Sequence, residues 1–107
     1  MEKLKDTRSA VQLGINAARH FCKPKFDAHV ILRVFHHFRT DPTARRIYLS
    51  SSGCETGFEE NHPGKDILNP LIAREIARHF DAEVVEVIDV ADEFIKSYSV
   101  LKTKGVR

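Results

Sequence analysis

Residues 69–90, NPLIAREIARHFDAEVVEVIDV, carry the reading of the fold. Asn69-Pro70 has the chemistry of a helix start: an N-cap side chain, then proline at the first helical position, where its missing N–H is not needed. Ile72, Ala73, Ile76, Ala77 and Phe80 recur as one apolar stripe, with Arg74, Glu75 and Arg78 mostly facing away. That spacing predicts a helix over 70–80. AEVVEVIDV follows with apolar residues on both faces, as in a buried interior strand, and predicts a strand over 83–90. Upstream, RRIYLSSS reads as a short strand over 46–51. Strand, helix, strand is a βαβ unit, so its two strands are expected to be parallel with a right-handed crossover.

Further towards the N-terminus, Ala10, Leu13, Ala17 and His20/Phe21 recur at helical spacing over about 6–21, with Asp6, Thr7 or Ser9 able to cap. Lys23-Pro24-Lys25 breaks that helix. The segment 26–38, FDAHVILRVFHHF, fits two periods. Ile31, Val34, Phe35 and Phe38 fit an amphipathic helix, whereas Ala28, Val30, Leu32 and Val34 fit one face of a strand. Its density of β-branched and aromatic residues favours the strand. TDPT then suits a type I turn, which would make 26–51 a hairpin. The last stretch, ADEFIKSYSVLKTKGVR, reads as a helix with Phe94, Ile95 and Tyr98 inward, ending in a basic tail. The expected architecture is one α/β domain over 1–107: an N-terminal helix, a hairpin and a βαβ unit.

Composition supports one domain. The chain has 107 residues, 42% of them hydrophobic, enough to bury a core without staples. Cys22 and Cys54 are too few for a disulfide framework. The opening MEKLKDTRSA does not read as a secretory leader, and no apolar run approaches the roughly 20 residues of a membrane helix. A soluble, cytoplasmic domain with no membrane partner is therefore expected. The net charge of +2 hides an uneven distribution. Residues 19–46 carry seven bases and two acids, whereas 47–95 carry three bases and eleven acids. Such a split implies an anionic partner for the basic part, or pairing between the two parts within or between chains.

KDILNPLIAREIARHF, DAEVVEVIDV and FIKSYSVLKTKGVR together resemble the middle of a thioredoxin-like domain. The resemblance implies that Pro70 is the proline of the helix after the active site, Val84–Val90 the next strand, and Gly105-Val106-Arg107 the closing stretch. HPGK, residues 62–65, stands where that family keeps Cys-x-x-Cys, and the chain ends where the family adds a cis-proline and two more strands. The resemblance thus implies a fold without dithiol chemistry.

Four chemistries compete for the functional residues. The loop 50–65, SSSGCETGFEENHPGK, is rich in glycine, but it lacks both GxxxxGK[ST] and GxGxxG, and Glu55, Glu59 and Glu60 would repel a phosphate. Cys54 with His62 could form a thiol site if the loop lowers the thiol pKa. The six histidines show no metal-ligand spacing with the cysteines, and no cofactor signature is present. The basic segment 19–46 interleaves Arg and Lys with phenylalanines, so Arg33, Arg39, Arg45 and Arg46 could lie along a nucleic-acid backbone. A sequence pI near 8.6 is modest for such a role. The favoured expectation is a non-catalytic binding module for nucleic acid or a protein partner, with a Cys54 thiol protein as the alternative. Exposed strand edges and the opposite charge of the two halves add the expectation of a homodimer.

Overall fold

A computed structural model describes residues 7–54, 63–89 and 97–104. Four helices, α1 (Thr7–Phe21), α2 (Val30–Thr40), α3 (Pro42–Ser52) and α4 (Pro63–His79), precede a hairpin of β1 (Ala82–Asp89) and β2 (Ser97–Thr103). The mixed α/β class and the N-terminal helix are as expected. The expected hairpin over 26–51 and the strand over 46–51 are not: both of their strand segments are helical.

The reason lies in the periodicity of the buried residues. Val30, Ile31, Val34, Phe35 and Phe38 are all buried on α2, at positions i, i+1, i+4, i+5 and i+8. A strand would divide that set between two faces, whereas a helix buries it as one stripe. Ala44, Tyr48, Ser51 and Ser52 do the same on α3. TDPT is a helix junction, not a β-turn. Asp41 ends α2 by donating its N–H to the His37 carbonyl, and its side chain accepts from the Ala44 N–H at 2.9 Å to cap α3. Asp-Pro serves an N-cap and first helical position as well as it serves the first two positions of a turn. α3 ends at Gly53, whose φ of 86° is left-handed and natural for glycine.

α4 also starts earlier than expected, at Pro63, with Pro70 inside it. Asn69 does not cap. Its side-chain oxygen accepts the buried Tyr48 hydroxyl at 2.6 Å, tying α4 to α3. Leu68, Ile72 and Ile76 form the buried stripe of the helix. α1 meets it through small residues, burying Ala10, Gly14, Ala17 and Ala18. A Cβ built on Gly14 would stand 3.0 Å from Ile72 Cγ2, so glycine is what allows this close approach. Gly14 lies against Ile72 and Ile76, and Arg19 against His79, so the two helices run parallel.

The strand over 83–90 is present as β1, with Val90 outside the described residues, but its surroundings differ from the βαβ expectation. Its partner is β2, antiparallel, and no strand at 46–51 exists to make a parallel crossover. Residues 97–103 are thus strand where a helix was expected; Phe94 and Ile95 lie outside the described residues. Nor is β1 interior: Val84, Val85 and Val87 are 55%, 55% and 61% exposed. The register shifts between Val84, opposite Leu101, and Glu86, opposite Val100, which makes Val85 an extra, bulged residue. Partners across a ladder point to the same side, so Ala82, Val84 and Val87 share a face with Leu101 and Ser99, and Glu83, Glu86 and Ile88 share the other with Lys102, Val100 and Tyr98. The bulge turns an apparently two-faced apolar strand into an amphipathic one. Leu101 anchors the hairpin: it is buried, and its N–H donates to the Ala28 carbonyl at 2.9 Å.

Candidate nucleic-acid interface

The basic segment 19–46 becomes the end of α1, a connecting loop, α2 and the start of α3. Its two acids are both occupied by structure. Asp27 accepts the His29 N–H at 2.9 Å and forms an ion pair with Arg33. Asp41 caps α3. What these elements present outward is therefore dominated by bases: Lys23, Lys25, Arg33, Arg45 and Arg46 are exposed, and so are His29 and His36.

The four expected arginines do not act alike. Arg33 lies on the outer side of α2 with its charge balanced by Asp27. Arg39 is half-buried in the last turn of α2. Arg45 and Arg46 stand exposed just beyond the Asp41 corner. Thr43, Arg46 and Ser50, at i, i+3 and i+7, form an exposed stripe on α3, which contains no acidic residue. A hydroxyl–guanidinium–hydroxyl row of this kind suits successive phosphate oxygens.

A second basic group was not singled out from the sequence. Arg19 Nε donates to His79 Nε2 at 3.1 Å, joining the last turns of the parallel helices α1 and α4, where His20 and Arg78 also lie. Each helix ends with its negative dipole pole here, and the Arg19 and Arg78 guanidiniums complement it. The readable signal was the basic pair at each helix end, Arg19-His20 and Arg78-His79; their juxtaposition needed the fold. Arg78 is also hydrogen-bonded to Glu75, which holds that carboxyl below its usual range.

The thiol candidates are placed differently. Cys54 is 5% exposed, behind the α3 terminus, and its N–H donates weakly to Ser52 Oγ at 3.5 Å. Its expected partner His62 lies outside the described residues. Cys22 is half-buried, and burial pushes its thiol pKa up against the lowering effect of the Asp27 backbone. Burial likewise pushes the Tyr48 hydroxyl far above its ordinary range, so it acts as a donor to Asn69 and not as an acid. Lys65, in the first turn of α4, is buried and already partnered. Among the described residues no group of three or more His, Cys, Asp or Glu side chains could hold a metal ion, and no helix is long and apolar enough to cross a membrane.

No family model, no curated protein and no solved structure matches this chain.

Proposed function

We propose that the chain is a non-catalytic binding module that engages a nucleic-acid backbone through α3 and the loop between α1 and α2, and that it acts in the cytoplasm as a homodimer. The observation that carries this reading is the use of both acids of the segment 19–46 as an ion-pair partner and a helix cap, with Lys23, Lys25, Arg45 and Arg46 exposed. Arg45 and Arg46, both exposed on α3, are the principal contacts. Two free cysteines, Cys22 and Cys54, accord with a reducing compartment.

Retention on single-stranded RNA or DNA at rising salt tests the reading. Phosphate contacts release counterions, so affinity should fall linearly on a log–log plot. The double substitution Arg45→Ala, Arg46→Ala should reduce that slope by about 1.4, the loss of two single-strand contacts. Absence of binding at low salt would end the nucleic-acid reading and leave a protein as the partner.

A further inference from the structure

The hairpin has two unequal edges. The outer edge of β2 is closed at its centre, where the Leu101 N–H donates to the Ala28 carbonyl. Because that N–H points away from β1, Val84 and Leu101 form a non-hydrogen-bonded pair, and the backbone groups of Val84 also point out of the hairpin. Following the ladder, those of Ala82 and Val87 do the same. Among the described residues, nothing from another element bonds to them. The open edge therefore carries outward N–H and C=O groups at Ala82, Val84 and Val87, and the side chains of these residues share one face.

We propose that β1 pairs with β1 of a second copy, antiparallel across a two-fold axis, to make a four-stranded sheet. This names the surface of the homodimer proposed above and rests on that reading. The strand is self-complementary in one register, with Val84 opposite the second copy's Val87, Glu83 opposite its Ile88, and Val85 opposite its Glu86. Backbone direction, side-chain face and charge all agree there. Val84 and Val87 both point their backbone groups outward, so they form a hydrogen-bonded pair, while Glu83 and Ile88, both turned inward, form the non-bonded pair next to it on the side away from the axis. Side chains set opposite one another share a face, valine on valine. No acid lies directly opposite an acid, which like-charge repulsion would penalise. The two Glu86 carboxylates approach only diagonally, at the axis. Since the β2 edge is closed, each copy offers one edge, and assembly stops at two instead of running on into a fibre.

A register-specific crosslink is the test. In a Cys22→Ser background, the double substitution Val84→Cys, Val87→Cys should give a covalent dimer on oxidation, because hydrogen-bonded antiparallel partners have Cα atoms about 5.5 Å apart, within disulfide reach. Val84→Cys alone should not, since its counterpart lies three residues along the strand. Sedimentation should show the unmodified chain as a dimer, Val87→Lys as a monomer with nucleic-acid retention per chain preserved, and Glu86→Gln as a tighter dimer. Arg45→Ala with Arg46→Ala should weaken retention and flatten its salt slope yet stay dimeric, which separates failure of binding from failure of this interface. A monomeric unmodified chain at high concentration, or crosslinking by Val84→Cys alone as efficient as by the pair, overturns the proposal.

Discussion

The helical body and the hairpin are built on opposite terms. In the body, each helix commits one stripe to a shared core, and the largest side chains meet there: Phe38 packs edge-on to Phe35 and 5.5 Å from Tyr48, all essentially inaccessible. The buried Tyr48 hydroxyl there has a partner in Asn69. Among the described residues of the hairpin, only Ala82 and Leu101 are buried, and β1 from Glu83 to Val87 is exposed throughout. A two-stranded hairpin has little stability of its own, so this one depends on its anchor in the body. Stability resides in the first region, and exposed surface belongs to the second and to the outer sides of α2 and α3.

The hardest blow to that contrast is Phe38→Ala. Removing a fully buried aromatic ring should cost about 3–5 kcal/mol in denaturant unfolding. Because Cys54 is sealed within the body, the same change should speed its alkylation strongly, whereas in the native chain half-buried Cys22 should react first. Rapid Cys54 alkylation in the native chain, with a thiol pKa well below about 8.5, would instead revive the thiol alternative. Asp41→Ala is intermediate. It removes the cap of α3 and should cost about 1 kcal/mol, while leaving the core untouched. Val85→Thr probes the other region. The bulged, exposed residue should tolerate it within about 0.5 kcal/mol, read by chemical denaturation. A larger loss would mean that the hairpin shares the body's core, and the contrast would fail.

What the sequence revealed follows the same division. α1 and the apolar stripe of α4 are legible because each carries a single clear period, and the strand at 83–90 because its run of β-branched residues favours an extended chain. The segment 26–38 departs from the expected strand because the stripe of Ile31, Val34, Phe35 and Phe38, which also fits a helix, outweighs its β-branched and aromatic content. Asp41-Pro42 fits a turn and a helix cap equally, and only the helical neighbours decide between them. Pro70 hid the true start of α4, since an interior proline looks like a first-turn proline. The bulge at Val85 disguised alternation as two-sided burial. At the candidate interface, the exposure of Arg45 and Arg46 could be expected from their place on the chain. The pairing of Arg33 with Asp27 could not, because a six-residue separation brings charges together only once the loop before α2 is folded.

The corner at Asp41 works as a phase lock. A single residue closes one helix and opens the next, so no linker exists to absorb a change of length. Inserting one residue within α2 would turn everything after it by about 100° about that helix axis, carrying Arg45 and Arg46 to a different side of the molecule. Length variation between related chains should therefore be excluded from residues 30–52, even at positions where substitution is harmless. The angular setting of α3 is inherited from α2, and with it the direction in which the basic surface looks.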